Sequence, residues 1–463
     1  MKKKVTRRPL RPFRIGLLGL LIPLTLASTA QTPPAGTAHA VSPVPAATAS
    51  VPATQANTAT TAAAATASAS TLAPGFDVAR FEAMAQQLTM GERVPGMALA
   101  IVHNGRVLTA KGYGVTDVSA PQTIDGHTVF RLASLSKAFA GTLAGLLVND
   151  GSLRWDSRVA DYVPNFRLSD PMATRQVTVA DLLSHRVGLQ AHNAFDRDIE
   201  GNADYYAVTQ KLAYAPMSCV PGQCYAYQNV AFSVFGDVVF AATGGFYEQA
   251  VDKRIFKPLG MNDASLGLEG IQNSARWARP HVRSRNGWVA LTPKPTYYRL
   301  APAAGVNASI SDMAQWLVAQ TGHRQDVLSA PLLATLHASL VPTPGEMRAG
   351  WRRDRIYSAG YALGWRVFDY ANHPVIFHAG AVQGYRGMVA LVPERDLGIA
   401  ILWNSDSSVP SGLLPTILDR AIGLSPQQWL DTPMDTSDLL MADSPQPDNK
   451  SGAAASQATA SPR

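Results

Sequence analysis

The sequence predicts an α+β fold in which strands from both ends of the folded part pair into one antiparallel sheet flanked by helices. Three observations predict it. Strand-like apolar runs lie near both ends, helical patterns lie between them, and no internal repeat of the length typical of solenoids is present. The simplest packing is one sheet of terminal strands with an all-helical insertion between them.

The strands are indicated by apolar runs bounded by turn residues. Residues 97–102 and 106–111 flank Asn104-Gly105, a strong short-range signal for a hairpin. Near the other end, three further apolar runs cover residues 375–377, 388–392 and 399–403. The terminal runs are therefore the predicted strands of the sheet.

Helical patterns fill the middle of the chain. In residues 134–149 apolar side chains recur at helical spacing, and Gly151 follows as a stop signal. Three other patterns cover residues 178–184, 230–242 and 311–321. These patterns predict the helical insertion.

The composition excludes several classes of protein. The chain has 463 residues, of which 46% are hydrophobic and 16% charged, so it can bury a large core, and its two cysteines exclude a disulfide scaffold. The formal charge is +7, but seven of the 40 basic residues lie among the first fourteen residues, which contain no acid. The remainder has 33 basic and 33 acidic residues. We therefore expect no nucleic-acid partner.

The N-terminus is typical of an export signal. Its basic residues precede a charge-free apolar stretch, residues 15–27, which is shorter than the roughly 20 residues of a membrane span. The small residues Ser28 and Ala30 suit a signal peptidase. We predict a signal peptide over residues 1–30, cleaved near Ala30, and a periplasmic or secreted protein with no stable membrane span after cleavage. The alternative is an uncleaved N-terminal membrane anchor.

Two further segments lack any pattern of a folded core. Residues 31–74 consist almost entirely of Ala, Thr, Pro, Ser and Val, and residues 433–463 turn again to Ser, Ala, Pro and Asp. Such segments cannot bury enough apolar surface to offset the entropy of ordering. We predict a disordered linker over residues 31–74, a folded domain over 75–432 and a disordered tail over 433–463.

The first candidate motif is the S-x-x-K of Ser134 and Lys137 at the start of a predicted helix. Positions three apart share a helix face, so the hydroxyl and the amine can meet. An amine whose pKa is lowered by burial can take the serine proton. At a helix N-terminus the Ser134 N–H can also form half of an oxyanion hole.

The second motif is the Y-x-N of Tyr227 and Asn229. A tyrosine can relay a proton if nearby cations lower its pKa, and an asparagine two residues on can hydrogen-bond a substrate amide. Tyr370 and Asn372 form a second Y-x-N, which we predict to be a hairpin turn.

The third motif is His378-Ala379-Gly380, at the end of a predicted strand. Small residues there let a substrate backbone lie alongside, and the N–H of Ala381 can complete the oxyanion hole. His103-Asn104-Gly105 has the same His-x-Gly pattern, but the predicted hairpin at Asn104-Gly105 explains it.

In this order, the three motifs resemble those of the penicillin-recognising serine hydrolases, most closely the class C β-lactamases and their D-alanyl-D-alanine carboxypeptidase and esterase relatives. The surrounding sequence is similar over about residues 76–421. The resemblance implies a β-lactamase/transpeptidase-like fold and a serine hydrolase acting through an acyl-enzyme.

The resemblance also implies roles for individual residues. Ser134 would be the acylated nucleophile, and Lys137 and Tyr227 would be the proton-transfer pair. Asn229 would bind a substrate amide, and the N–H groups of Ser134 and Ala381 would form the oxyanion hole beside Gly380. Which of Lys137 and Tyr227 is the base stays open, because their titrations are coupled.

The third motif departs from that of efficient β-lactamases, which tend to carry Lys-Thr-Gly and use its cation and hydroxyl to meet a ligand carboxylate. Here His378, which we predict to face the substrate, stands in the place of that cation, but it is mostly neutral above neutral pH, and Ala379 has no hydroxyl. Arg386 is a candidate substitute for the missing cation. We therefore favour a hydrolase of peptides, amides or esters, D-Ala peptidase or esterase-like. The alternatives are a β-lactamase and a non-catalytic domain that binds peptidoglycan fragments.

Cys219 and Cys224 flank a Pro-Gly turn just before Tyr227. In an exported chain this spacing predicts a small disulfide worth about 2 kcal/mol, the alternative being two free thiols. The sequence has neither an H-E-x-x-H motif nor a second cysteine pair, so we expect no metal and no cofactor.

Overall fold

The computed structural model describes residues 71–348, 350–425 and 427–430. All of them belong to one compact unit. The predicted signal peptide, the linker up to residue 70 and the tail lie outside the described residues. The last residues of the predicted linker are packed, since the Ala73 N–H donates to the Ala421 carbonyl at 3.1 Å.

Thirteen strands are numbered here in chain order among the described residues. They are β1 Gly96–His103, β2 Arg106–Gly114, β3 Phe130–Arg131, β4 Ser265–Leu266, β5 His281–Ser284, β6 Gly287–Ala290, β7 Val306–Ala308, β8 Val341–Pro342, β9 Ile356–Tyr361, β10 Arg366–Tyr370, β11 His373–Val382, β12 Tyr385–Val392 and β13 Leu397–Trp403.

The α-helices are numbered in the same way. They are α1 Val78–Met90, α2 Ser136–Asn149, α3 Val159–Tyr162, α4 Pro171–Gln176, α5 Val179–Leu183, α6 Asp196–Glu200, α7 Tyr205–Gln210, α8 Asn229–Ser233, α9 Phe235–Thr243, α10 Tyr247–Val251, α11 Lys257–Leu259, α12 Gly267–Gln272, α13 Ala301–Ala304, α14 Ile310–Val318, α15 Ala330–His337, α16 Trp351–Arg355 and α17 Leu413–Ile422.

The main sheet joins the two ends of the domain. Its eight strands follow the order β2-β1-β13-β12-β11-β10-β9-β8, and each pair is antiparallel. The register between the ends places Met97 of β1 opposite Trp403 of β13. The predicted antiparallel sheet of terminal strands is therefore confirmed, as is the hairpin at Asn104-Gly105.

The insertion between the terminal strands is mostly helical, but it differs from the predicted all-helical arrangement. It also contains a three-stranded sheet of order β3-β7-β4 and the hairpin of β5 and β6. These strands have two to four residues each. A strand of that length is too short to show the alternation on which sequence-based recognition depends.

Both faces of the main sheet are covered, which fixes the central strands. Alternate residues of β1 enter two different cores: Ala98, Ala100 and Val102 pack in the core that contains α2 and α14, and their neighbours pack in the core that contains α1 and α17. The period of two along a strand explains this division. Helix α2 is buried along most of its length, so its N-terminus is rigidly placed beside the sheet.

The predicted helices are present with small changes at their ends. The pattern over 134–149 begins with a 3₁₀ turn, Ala133–Leu135, before α2, and the pattern over 230–242 is divided into α8 and α9. In the part of the chain that the structure describes, no unbroken helix combines the length and hydropathy of a membrane span; only the sharply bent combination Asn229–Thr243 with Tyr247–Leu259 does so, by composition.

Candidate active site

Ser134 lies in the tight turn between β3 and α2. Ala133 before it has φ +49°, a left-handed conformation that a residue with a side chain rarely adopts. The turn is held by Ser136, whose hydroxyl donates to the Ala133 carbonyl at 2.6 Å and accepts from the Val306 N–H of β7 at 3.0 Å. Ser134 is partly exposed while the residues on either side of it are buried. The fold thus presents this hydroxyl at the surface of a rigid turn.

Lys137 lies one turn into the same segment and is 0% exposed. Its Nζ is 3.2 Å from the Ser134 Oγ, 2.7 Å from the Asn229 Oδ1 and 3.1 Å from the Ala303 carbonyl oxygen. Burial lowers the pKa of this amine well below its usual value. A neutral amine donates two hydrogens to the amide and carbonyl oxygens and turns its lone pair to the serine hydroxyl. This geometry suits Lys137 for accepting the Ser134 proton.

Tyr227 packs beside the same amine. The Lys137 Nζ lies 4.7 Å from the centre of the Tyr227 ring. Burial raises the pKa of the Tyr227 phenol to about 12, against the opposing effects of the Arg366 charge and a hydrogen bond with Ser134. The phenol is therefore protonated at neutral pH and can donate a proton.

Asn229 begins α8, and its amide is held on every side by the protein. Its Oδ1 accepts from Lys137, while its Nδ2 donates to the Asp196 carboxylate at 2.7 Å and to Asn193 Oδ1 at 3.3 Å. The structure thus places the predicted substrate-amide ligand in a bridge between the Lys137 amine and the Asp196 carboxylate. Asp196 is only 8% exposed.

Gly380 of β11 approaches the nucleophile turn so closely that no larger residue fits. A Cβ atom at this position would lie 2.3 Å from the Leu132 carbonyl oxygen and 3.2 Å from the Ser134 nitrogen. This contact brings the strand that carries Ala381 against the N-terminus of α2. The N–H groups of Ser134 and Ala381 are the predicted oxyanion hole.

The end of β11 has room for a ligand backbone. Strand β10 begins at Arg366, which pairs with Phe377, so within the described residues β10 does not continue alongside residues 378–382. A strand edge of this kind can pair with an extended ligand.

His378 does not occupy the place expected of a substrate-binding residue. It is 0% exposed, and its Nε2 lies 3.0 Å from the Tyr361 hydroxyl and 3.2 Å from the Arg366 Nη1. Burial, with the Arg366 and Lys137 charges, lowers the His378 pKa well below its usual value. The expectation that His378 faces the ligand is corrected here: the pleat of β11 turns its side chain into the protein, where it is uncharged.

One cleft of about 730 Å³ is lined by six of the predicted site residues. They are Ser134, Tyr227, Asn229, Gly380, Ala381 and Arg386. Arg386 faces Ala381 across the strand pair, and its Nε donates to the Asp406 carbonyl at 3.1 Å. Arg386 therefore lies where it can meet a bound ligand at the Ala381 end of the cleft.

Cys219 and Cys224 are joined by a disulfide. The loop between them is attached to the segment that follows α5, since the Gly222 N–H donates to the Arg186 carbonyl at 2.8 Å. Because this loop leads directly to Tyr227, the cross-link restrains the chain segment that brings Tyr227 to the cleft.

The sequence reasoning missed several charged residues of the cleft. Asp196 comes from a segment with no motif. Arg366 forms an ion pair with Glu346, with 3.2 Å between its Nε and the Glu346 Oε2, and Arg352 binds the same carboxylate. Arg366 had one available signal, since it directly follows residues 361–365, which are part of the family resemblance.

The chain is similar to several known proteins. The family model Beta-lactamase matches residues 81–423. The chain is 26% identical over 366 residues to Unguisins hydrolase of Aspergillus campestris, covering 76% of this chain and 66% of that protein. It is 28% identical over 341 residues to Penicillin-binding protein 4 of Amycolatopsis lactamdurans, covering 71% of this chain and 86% of that protein. The chain spans just under two thirds of the length of this hydrolase and of a second Unguisins hydrolase, from Aspergillus violaceofuscus.

Among solved structures, the octameric penicillin-binding protein homologue from Pyrococcus abyssi matches with a TM-score of 0.66 and 25% identity. The match covers 76% of this chain and 79% of that one. The fold described above is therefore the β-lactamase/transpeptidase-like fold.

Proposed function

The chain belongs to the Beta-lactamase family of serine hydrolases, and we propose that it hydrolyses peptides, amides or esters through an acyl-enzyme on Ser134. The observation that carries the proposal is the buried Lys137 amine, which lies 3.2 Å from the Ser134 Oγ with both of its other partners being acceptors. An amine held in this way turns a weak nucleophile into a reactive one.

Acylation uses the groups around this amine. The Ser134 Oγ attacks the substrate carbonyl carbon as Lys137 takes the hydroxyl proton. The N–H groups of Ser134 and Ala381 stabilise the oxyanion. Tyr227 gives its proton to the leaving group as the C–N or C–O bond breaks, and the Lys137 ammonium returns a proton to the phenolate. Water then releases the acyl group by the same steps in reverse order.

The third motif favours substrates other than β-lactams. His378 is buried and Ala379 has no hydroxyl, so neither supplies the cation and hydroxyl that bind a carboxylate in efficient β-lactamases. D-amino-acid peptides, amides and esters are therefore the proposed substrates, with β-lactams turned over slowly at most. Relatives named as a hydrolase of unguisins and as a penicillin-binding protein are consistent with this range.

The proposed location is the periplasm or the cell exterior. The support comes from the signal-like residues 1–30 and from the bond between Cys219 and Cys224, because disulfides persist mainly in oxidising compartments. Sequencing the N-terminus of the exported protein tests this location, and an intact N-terminus in a membrane fraction would favour the anchor instead.

Intact-mass spectrometry after exposure to a fluorophosphonate probe tests the nucleophile. We expect one adduct in the wild type and in Ser152→Ala, and none in Ser134→Ala. Equal labelling of Ser134→Ala would contradict the assignment. A panel of nitrocefin, a D-Ala-D-Ala peptide and a p-nitrophenyl ester, compared by kcat/KM, then tests the substrate class. Stable binding of peptidoglycan fragments without turnover of any substrate would favour the non-catalytic alternative.

A further inference from the structure

Arg366 places a largely buried guanidinium beside the proposed proton donor. Its side chain is 12% exposed, and its guanidinium carbon lies 5.3 Å from the centre of the Tyr227 ring. Arg366 is the first residue of β10 and pairs with Tyr361 on one side and with Phe377 on the other. These pairings fix the backbone from which the guanidinium reaches the cleft.

The hydrogen bonds around His378 determine its protonation. The Gln228 N–H donates to His185 Nδ1 at 3.1 Å, so the proton of a neutral His185 is on Nε2. His185 Nε2 lies 3.2 Å from the Tyr361 hydroxyl oxygen and donates to it. The Tyr361 O–H is then free to donate to His378 Nε2 at 3.0 Å.

Arg366 completes the same assignment. A guanidinium can only donate, and its Nη1 lies 3.2 Å from His378 Nε2. His378 Nε2 is therefore an acceptor, and His378 Nδ1–H donates to the Ala379 carbonyl at 2.8 Å. Both ring nitrogens are accounted for by an uncharged imidazole. The positive charge on this side of the cleft lies on Arg366 and not on the histidine of the third motif.

The charge of Arg366 is shared with a small ion cluster. Glu346 forms ion pairs with both Arg366 and Arg352, so the three side chains together carry one net positive charge. The largest charge effects on the Tyr227 phenol are the favourable one of Arg366 and the unfavourable ones of Asp196 and Glu346. With its carboxylate neutralised by two guanidinium groups, the cluster presents a cation to the phenol.

We propose that Arg366 stabilises the phenolate that forms on Tyr227 when this residue protonates the leaving group, and so replaces the cation that the third motif lacks. This role rests on the proposed function. The proton passes from the Tyr227 hydroxyl to the leaving nitrogen or oxygen while the bond to the acyl carbon breaks, and no further reactant is needed. Arg366 is a positioning residue, because it acts through Tyr227.

A series of neutral esters of one acyl group tests the role. A p-nitrophenolate leaves without a proton, whereas phenoxide and ethoxide need increasing assistance from an acid. We expect Arg366→Gln to lower kcat/KM for the ethyl ester by about 100-fold, the size typical of general acid catalysis. The p-nitrophenyl ester is expected to react at nearly the wild-type rate. Arg366→Lys keeps the charge and is expected to retain most of the wild-type kcat/KM for the ethyl ester.

Arg386→Gln is the matched control, because Arg386 is also an arginine of the cleft but is not among the charges with the largest effects on Tyr227. It should leave the ratio between the ethyl and p-nitrophenyl esters unchanged. In a Tyr227→Phe background, Arg366→Gln should no longer change that ratio.

An equal loss on all esters in Arg366→Gln would overturn the proposal, because a merely structural residue slows every substrate alike. The role of charge would also be overturned if Arg366→Lys folds but its kcat/KM for the ethyl ester falls as far as that of Arg366→Gln. Absence of any Ser134 adduct in the wild type would instead overturn the proposed function, and the role of Arg366 with it.

Discussion

Lys137 and Asn229 are joined by the shortest of the three hydrogen bonds around the Lys137 amine, at 2.7 Å. The bond uses the amide oxygen of Asn229, and the amide nitrogen on the other side donates to Asp196. A carboxylate in the helical insertion therefore contacts the proposed general base through a single intervening amide. This connection makes the protonation of Lys137 depend on a residue outside the three motifs.

Asp196→Asn should move the pH profile of the enzyme. The Asp196 charge raises the pKa of Lys137, against the larger lowering caused by burial. Without that charge the pKa of Lys137 falls, so the amine becomes neutral at lower pH. The ascending limb of kcat/KM against pH is expected to shift towards acid, as measured with a p-nitrophenyl ester.

Asp198→Asn is the control for this change. Asp198 lies on the same short helix α6 but pairs with Lys211 at 2.7 Å. Asp198→Asn should keep the wild-type dependence of kcat/KM on pH. An alkaline shift in Asp196→Asn would contradict the link between Asp196 and Lys137.

Gly380→Ala should disable acylation without unfolding the protein. The added methyl group would meet the Leu132 carbonyl at 2.3 Å, so β11 must move away from the nucleophile turn. Displacing one oxyanion donor lowers kcat by about 100-fold or more. Burst kinetics with a p-nitrophenyl ester measure the loss. Gly345→Ala, where a Cβ has no atom within 4 Å, is the matched control. Full activity in Gly380→Ala would show that the close contact is not needed.

Removing the disulfide should lower stability modestly. The loop closed by Cys219 and Cys224 has a sequence separation of five residues, for which loop entropy gives about 2 kcal/mol. For a domain of this size that corresponds to a Tm lower by about 3 °C. Calorimetry of the double variant Cys219→Ser/Cys224→Ser measures the change. Reduction of the wild type should produce the same shift, and no shift in either case would mean that the loop is held by its other contacts.

Acid should destabilise the folded domain through its buried histidines. Burial lowers the pKa of His337 to about 4, while an unfolded histidine titrates near its ordinary value of about 6.5. Between these two values the unfolded chain binds more protons than the folded one. The unfolding free energy should therefore fall as pH decreases from about 6.5 to about 4, by up to about 1.4 kcal/mol per pH unit from this residue.

His337→Gln tests that contribution. In the wild type His337 donates from Nε2 to Gln320 Oε1 at 3.0 Å, and a glutamine can supply an uncharged N–H there. Urea unfolding between pH 7 and pH 4 should show a smaller loss of stability in the variant. Identical pH dependence in both proteins would mean that His337 is not held neutral by the fold.

Local features of the fold could be predicted from the sequence. The Asn104-Gly105 turn, the strands on either side of it and the helix after Ser134 follow from residue type and period over a few positions. The break between α8 and α9 and the short strands of the insertion could not be predicted, because they are decided by contacts with distant segments. Asp196 and Arg366 were missed for the same reason, since nothing in their local sequence marks them as neighbours of Asn229 or Tyr227.

The sequence by itself determined the terminal strands, the three motifs and the family that they indicate. Only the tertiary structure decided which groups of those motifs carry charge. The sequence identifies a histidine, a lysine and a tyrosine, but it does not fix their protonation. Their protonation depends on burial and on the side chains that other elements bring near. Burial and Arg366 keep His378 neutral, and burial lowers the pKa of Lys137. The guanidinium beside Tyr227 therefore belongs to Arg366 of β10, the strand next to the one that carries the third motif.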